Sequence, residues 1–448
     1  MKLKHPHHKI LFVLFVFLTL ESWKKDTSSN PEIPAVTFET PAVEDIVMYE
    51  INPGAFSATQ DFQGIIDRFD SIKALGINTI WLMPVYPVGI INSFGSPYCV
   101  RNYLEVNDDL GTLQDLQTLV SKAHDRKIAV ILDWVANHTS WDHPWISNKD
   151  WYTQDVNGNI ISPPGTNWND VADLNYNNND MRLAMIAAMK YWIENADIDG
   201  YRCDAADFVP FDFWQQAIDS LHTIKGKSLI LLAEGSRADH FTAGFQMNFS
   251  WDFLQTLKNV FNETQYASAL FMTNSNEYLS VPGSARKLRF NTNHDESNIG
   301  TPVTVYHGNE GAIASSVIAI FLEGVPLIYC GQEVGVSSPS VYLGNGPINW
   351  TQKGDILTTD KQLLNFYGSS DAARKGTLKT FYDVNVAAFE KTYDLSKIVV
   401  MVNTRSTAKS YAVPVSLQGN WVNAFTGLPV TMKETVVLNG YQYWILKN

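Results

Sequence analysis

The sequence predicts an α/β protein, a (β/α)8 TIM barrel with a small insertion after the third strand and a C-terminal antiparallel β-sandwich. Three observations predict it. Short, nearly continuous apolar runs alternate with amphipathic stretches of helix length. One long polar segment interrupts this alternation, and past residue 375 the pattern changes to short runs with turn residues between them. With 448 residues the chain also exceeds a single core, since cores stop growing near ~250–300 residues.

The apolar runs are the expected barrel strands, because parallel strands covered on both faces are apolar along nearly their whole length. A doubly wound open sheet is the alternative, but it usually has fewer strands, and no Gly-rich phosphate loop follows the first run. We therefore expect the barrel to span residues 44–375. The eight runs are DIVMYEI (45–51), INTIWLMP (77–84), IAVILDW (128–134), DIDGYRCD (197–204), LILLAEG (229–235), FQMNFSW (245–251), LRFNTNHD (288–295) and VPLIYCGQE (325–333).

The stretches between these runs are expected to be helices. In DMRLAMIAAMKYWIEN (180–195), Asp180 is a candidate N-cap. An apolar stripe at helical spacing should pack on the sheet, and its residues are Met185, Met189, Trp192 and Ile193.

Residues 139–180 form the predicted insertion, a small inserted domain on the carboxyl face of the barrel. The segment is rich in Asn, Asp, Trp, Pro and Gly, and loops this long are usually functional. Residues 376–448 contain the runs KIVVMVNT, KSYAVPVSL, WVNAFTG, TVVLNG and YQYWILKN, which predict the β-sandwich.

The N-terminus predicts export. MKLKHPHHK is basic and ILFVLFVFLTL is apolar, as in a signal peptide, which we place at 1–25 with a linker at 26–43. The apolar run is short for a transmembrane helix, although an uncleaved anchor is the alternative. Trp23 stands where a lipid-anchored chain would carry a cysteine, so lipid anchoring is unsupported. We expect an extracellular, periplasmic or cell-surface protein whose mature chain is not stably inserted in a membrane.

Composition narrows the class of partner. A net charge of −13 argues against nucleic acid and anionic membranes. The 3 cysteines include no CxxC pair, so no zinc or redox motif is visible. Aromatic residues are numerous and suit sugar rings, although we expect most of them in the core. We expect no organic cofactor and a monomer.

Charged residues gather where the predicted strands end. Buried without partners, each carboxylate would cost several kcal/mol, so several of them at one end of a barrel indicate a site. A single residue of this kind could equally be structural. They are Asp133 after the third run, Arg202 and Asp204 in the fourth, Glu234 in the fifth, and His294 and Asp295 in the seventh.

Carboxylates with histidines and aromatics are typical of glycosidic bond cleavage, which needs a proton donor and a second carboxylate. Asp204, two residues after Arg202, is expected to have a lowered pKa and to stay ionised as a nucleophile must. Glu234 follows the apolar run LILLA, surroundings that suit a proton donor.

Seven short motifs in this order resemble the α-amylase family of glycoside hydrolases, from about residue 44 to the end. DWVANH, GYRCDAAD, AEGS and NTNHDES resemble its four main signatures. INTIWLMPVYP, VADLN and GVPLIYCGQE resemble three auxiliary ones. The third signature departs from the usual pattern, in which a Gly-Glu pair is followed by a bulky residue.

The resemblance implies a retaining hydrolase of α-1,4-glucosidic bonds in starch or malto-oligosaccharides, acting through a covalent glycosyl-enzyme. Asp204 would be the nucleophile, Glu234 the general acid/base, and Asp295 the transition-state stabiliser. In that mechanism the two main carboxyl groups lie about 5–5.5 Å apart. The implied substrate-binding residues are Tyr98, His138, Arg202 and His294, with Asp133 supporting the network.

The resemblance also implies a structural calcium ion at Asn137 and Asp173, although calcium takes six or more oxygen ligands. Where many relatives carry Lys-His after the nucleophile, this chain has Asp207 and Phe208. Other enzymes of the family are alternatives: a cyclomaltodextrinase or maltogenic hydrolase, an α-1,6-glucosidase or a glucan transferase. A non-catalytic sugar-binding relative would typically have lost one of the three acids, and all three are present.

Overall fold

The computed structural model describes residues 38–336, 346–351 and 354–448. The predicted signal peptide at 1–25 and the linker as far as residue 37 lie outside the described residues, so both stay predictions. Among the helices of the described residues, none is long and apolar enough to cross a membrane.

Strands and helices are interspersed along the described chain as far as Lys375, and strands follow beyond it. The strands are β1 Met48–Ile51, β2 Thr79–Leu82, β3 Ala129–Val135, β4 His138–Ser140, β5 Val171–Asp173, β6 Gly200–Asp204, β7 Ile230–Ala233, β8 Met247–Phe249, β9 Arg286–Arg289, β10 Val325–Tyr329, β11 Thr377–Phe381, β12 Val386–Tyr393, β13 Ser396–Asn403, β14 Lys409–Ala412, β15 Gly419–Asn423, β16 Pro429–Met432, β17 Thr435–Leu438 and β18 Tyr443–Lys447. The α-helices are α1 Pro53–Phe56, α2 Phe62–Ile66, α3 Phe69–Ala74, α4 Leu113–His124, α5 Asn179–Ala196, α6 Phe211–Leu221, α7 Asp239–Ala243, α8 Trp251–Phe261, α9 Ala269–Tyr278, α10 His294–Ser297, α11 Pro302–Val305, α12 Asn309–Phe321, α13 Asp355–Ser369 and α14 Asp371–Lys375.

Within the described residues, parallel strands close into a barrel in the order β1-β10-β9-β8-β7-β6-β3-β2. The predicted (β/α)8 barrel is therefore confirmed. Alternate residues of a strand point to opposite faces, so one residue in two lines the barrel interior. An inner apolar cluster contains such residues, among them Met48, Trp81, Ile131 and Leu232.

Two local predictions are wrong by a few residues because asparagine side chains set the helix starts. Strand β9 ends at Arg289, and His294 and Asp295 begin α10, where the Asn293 side chain accepts a hydrogen bond from the Glu296 N–H at 3.0 Å. Helix α5 is capped by Asn178 and not by Asp180. Its predicted apolar stripe is buried.

The insertion contains a small antiparallel pair, β4 and β5, in which His138 lies opposite Asp173. The C-terminal region has a six-stranded sheet, β11-β12-β13-β18-β15-β16, and a two-stranded sheet, β14-β17. An apolar cluster contains residues of both sheets, as the predicted β-sandwich requires.

Candidate active site

Arg202 is the centre of a buried charged cluster inside the barrel. On β6 it occupies an inward position, and the register places it beside Asp133 of β3. Its Nη1 atom donates to Asp133 Oδ1 at 2.7 Å and to Asp204 Oδ1 at 2.8 Å. Its Nη2 atom lies 2.9 Å from Glu234 Oε2, an ion pair without hydrogen-bond geometry. One guanidinium thus holds three of the predicted carboxylates.

Aromatic rings surround that guanidinium. Its central carbon lies 4.8 Å from the Trp81 ring centroid and 5.6 Å from those of Tyr98 and Phe249. Arg202 has no exposed surface. Burial alone would lower the pKa of Arg202, but the carboxylates of Asp133 and Glu234 raise it well above its ordinary value. The arginine is therefore a permanent cation.

Asp204 is the last residue of β6, and Glu234 directly follows β7, the adjacent parallel strand. Cys203 pairs with Ala233, and each of the two acids comes one residue later in the chain, so they lie at the same level. Neighbouring strands lie about 4.8 Å apart, which brings the two carboxyl groups close together. Side-chain exposures of 12% and 18% leave both acids within reach of a ligand. The Ala205 N–H also donates to Glu234 Oε2 at 2.8 Å.

The predicted direction of the Asp204 pKa is wrong. Burial raises the pKa of Asp204 well above the ordinary aspartate value, and the carboxylates of Glu234 and Asp133 add to the rise. The Arg202 cation acts in the opposite direction but offsets only part of it. The sequence shows the arginine two residues away, but it does not show the other acids that converge on the same cation.

Asp295 joins this cluster through His294. The His294 Nε2 atom lies 3.4 Å from Asp295 Oδ1 and 2.9 Å from the Tyr98 hydroxyl. On its other side, His294 Nδ1 lies 2.5 Å from Glu50 Oε1. The Tyr98 hydroxyl donates to Asp133 Oδ2 at 3.0 Å, which links His294 back to the Arg202 cluster. With 47% of its side chain exposed, Asp295 faces the opening.

The two predicted histidines differ in charge. Burial would lower the pKa of His294, but Asp295 and Glu50 raise it to about 9. Burial lowers the pKa of His138 to about 4, and a hydrogen bond with the Tyr98 backbone offsets only part of this. At neutral pH one imidazole is therefore a cation and the other is neutral, although sequence motifs make them look equivalent.

An aromatic row extends from His138 toward solvent. The His138 ring centroid lies 5.5 Å from that of Trp168 in the insertion, and Trp168 lies 5.4 Å from Phe208. Phe208 is 54% exposed. Flat rings at the edge of a pocket suit the apolar faces of sugars. The sequence does not single out Trp168, because nothing in a loop indicates which aromatic faces the site.

The calcium prediction is not tested by these contacts. Asn137 is buried, with its amide nitrogen 3.2 Å from His138 Nδ1, and burial raises the pKa of Asp173. Across the residues that the structure describes, no group of three or more His, Cys, Asp or Glu side chains could hold a metal ion. The side chains of Asn137 and Asp173 supply fewer oxygens than the six or more that calcium takes.

Glu50 is a site residue that sequence reasoning missed. It ends the inward row of β1 and is fully buried. Burial raises the pKa of Glu50, and the His294 charge works against that rise. A signal was available: Glu50 is a carboxylate inside the apolar run DIVMYEI, the same feature that identified Asp204.

Comparisons with known proteins identify the family and agree with the fold. A family model described as "Alpha amylase, catalytic domain" matches residues 49–380. The chain is 26% identical to "Alpha-amylase 3" of Dictyoglomus thermophilum, over 78% of this chain and 74% of that one. It is 26% identical to a cyclomaltodextrinase of Thermoanaerobacter pseudethanolicus, over 77% of this chain and 64% of that one. The crystal structure of a maltogenic α-amylase, AmyB from Thermotoga neapolitana, superposes with a TM-score of 0.82 at 24% identity, covering 91% of this chain and 99% of that one.

Proposed function

This chain belongs to the α-amylase family of glycoside hydrolases, and we propose that it cleaves α-1,4-glucosidic bonds of starch or malto-oligosaccharides with retention of configuration. The observation that carries the proposal is the convergence of Asp204 and Glu234 on one buried guanidinium. The third acid, Asp295, is linked to this cluster by its contact with His294.

In the first step an Asp204 oxygen bonds to the anomeric carbon as the glycosidic C–O bond breaks. Glu234 gives its proton to the departing oxygen. Asp204 has to be ionised for this attack, and Arg202 is the cation that lowers its pKa against burial and neighbouring acids. Both acids contact the same guanidinium, at 2.8 Å for Asp204 and 2.9 Å for Glu234, and this shared partner favours retention. An inverting pair lies about 6.5–9.5 Å apart to admit water.

In the second step water attacks the anomeric carbon and gives a proton to Glu234, and the Asp204–carbon bond breaks. Asp295 and the cationic His294 would hydrogen-bond sugar hydroxyls as positive charge develops on the ring. Neutral His138 would contribute a ring nitrogen on the other side. These roles fit the charges that burial and neighbouring carboxylates give the two histidines.

A cyclomaltodextrinase-like hydrolase is the second candidate, because a relative so named is as similar as the named amylase. The experiment incubates the full chain with soluble starch, maltohexaose, β-cyclodextrin and pullulan, and follows products by chromatography. We expect starch and maltohexaose to be cut faster than β-cyclodextrin. The reverse order would favour the second candidate.

The anomer of the first product tests retention separately. Proton NMR of early maltohexaose cleavage is expected to show the α-anomer before mutarotation. A β-anomer formed first would contradict the covalent intermediate. Absence of cleavage of every glucan tested would contradict the proposed function itself.

A further inference from the structure

Asp207, three residues beyond the predicted nucleophile, lies directly against the loop that follows Glu234. Its Oδ2 atom accepts a hydrogen bond from the Ser236 N–H at 3.0 Å, and its Oδ1 atom accepts one from the Arg237 N–H at 3.2 Å. The carboxylate therefore bonds to the second and third backbone amides after the predicted general acid.

The segment that contains Asp207 and the loop after Glu234 each donate hydrogen bonds to the other. Arg237 Nη1 donates to the carbonyl oxygens of Asp207 and Val209, each at 3.0 Å. The Ala206 N–H donates to the Glu234 carbonyl at 2.9 Å. Ala205 has a left-handed backbone, with φ of 45°, and this turn presents its N–H to the Glu234 carboxylate.

Gly235 provides the space for this arrangement. Its φ is 153°, and a Cβ atom there would lie 2.4 Å from Asp207 Oδ1. The residue after the acid is thus a glycine because the Asp207 carboxylate occupies the position that a side chain would need. Because a side chain at position 235 and the Asp207 carboxylate would occupy the same space, substitutions at the two positions should be energetically coupled.

We propose that Asp207 is a positioning residue for Glu234: by holding the backbone of residues 235–237, it keeps the carboxyl group of the acid aimed at the glycosidic oxygen. This inference rests on the proposed function. Asp207 contacts the loop and not the nucleophile, so its loss should impair proton transfer while leaving the attack by Asp204 intact. A misplacement of about 1 Å can cost about 10²-fold in rate.

The experiment compares two substrates in Asp207→Ala and Asp207→Asn. Maltohexaose needs the proton of Glu234, because its leaving group is a sugar. α-Maltosyl fluoride with added azide needs neither acid nor base: the C–F bond breaks as the Asp204–carbon bond forms, and azide then displaces Asp204. We expect kcat/KM for maltohexaose to fall by about 10²-fold in Asp207→Ala, mostly through kcat, while fluoride release stays nearly unchanged.

Asp207→Asn retains the size of the side chain but loses one acceptor oxygen, so an intermediate loss on maltohexaose is expected. It also serves if Asp207→Ala does not fold. The matched control is Asp212→Ala, an exposed carboxylate paired with Arg182, which should behave as wild type on both substrates. A double-mutant cycle of Asp207→Ala and Gly235→Ala adds a second readout, the free energy of unfolding. The loss of stability caused by the alanine should be smaller when the Asp207 carboxylate is absent, because the two compete for the same space.

Equal losses on both substrates in a folded variant, or no loss on either, would overturn the positioning role. The role would also be overturned if the stability losses of Asp207→Ala and Gly235→Ala were additive in the double variant. A wild-type protein that releases fluoride but leaves maltohexaose and starch intact would instead refute the proposed function, and the two failures are thereby distinguishable.

Discussion

Arg202 and Arg289 are both fully buried and both lie against aromatic rings, yet their surroundings differ. Arg289 forms an ion pair with the single carboxylate of Glu277, and donates to Asn274 Oδ1 at 2.6 Å and to the Glu323 carbonyl at 2.8 Å. Its charge is matched by one anion, and neutral acceptors take the other donors. This is the arrangement expected of a structural ion pair.

Arg202 is surrounded by more negative charge than it can neutralise. Three carboxylates share it, and two of them, Asp204 and Glu234, are partly exposed to the opening of the barrel. Its Nε and Nη2 atoms have no directed hydrogen-bond partner in the described part of the chain. A protein tolerates such an excess only where it serves a purpose, so charge imbalance around a buried arginine distinguishes a reactive cluster from a structural one.

The largest expected difference in activity comes from changing one acid beside Arg202 and one beside Arg289. Asp204→Asn should lower kcat on maltohexaose by at least about 10³-fold, because it removes the nucleophile. Glu277→Gln should leave kcat of the folded protein close to wild type. Initial rates on maltohexaose measure both. A large residual activity in Asp204→Asn, or a comparable loss in Glu277→Gln, would remove the distinction between the clusters.

Replacing the arginines themselves should separate stability from activity. Arg289→Met should lower the free energy of unfolding by about 3–5 kcal/mol, because it removes the cation that is paired with the largely buried Glu277 carboxylate. Its kcat should be nearly unchanged. In Arg202→Met, loss of the cation raises the pKa of Asp204 further, so kcat should fall steeply at pH 6–7.

Urea unfolding at several pH values provides the second readout for this pair. The Arg202→Met variant should lose more stability at pH 7 than at pH 4, since protonation relieves repulsion among its three carboxylates. If the stability loss depended equally weakly on pH in Arg202→Met and Arg289→Met, the proposed excess of negative charge around Arg202 would be contradicted.

The smallest expected effect is on the pH dependence of stability, and it comes from one basic group near each arginine. The pKa of His294 is raised to about 9, so its stabilising charge is present below its unfolded pKa of about 6.5 and is lost as pH rises through 9. Burial lowers the pKa of Lys287 to about 8, so its effect has the opposite sign: stability is gained as pH rises from 8 toward 10.5.

Unfolding free energies at pH 6.5 and pH 9.5 test these opposite signs. The alkaline loss should shrink in His294→Gln and grow in Lys287→Met, each relative to wild type. If both variants follow the wild-type curve, neither group titrates as its contacts require.

Local pattern in the sequence was enough for the fold and for the acids around Arg202, although Glu50 was missed. Apolar runs fix where strands form, because a parallel strand buried on both faces tolerates few polar residues. The same rule makes Asp133, Arg202 and Asp204 conspicuous. Strand alternation then places Arg202 and Asp204 on the same face of their strand, since residues two apart point the same way.

Only the closed barrel decided how these groups act on one another. It brings Glu50 to His294 across 244 positions of the chain, which makes one of two similar histidines a cation. It also places several acids around Arg202, which reverses the pKa direction expected for Asp204, and it packs Asp207 under the loop of Glu234. Charge states depend on burial and on every neighbouring charge, and those neighbours come from strands far apart in sequence.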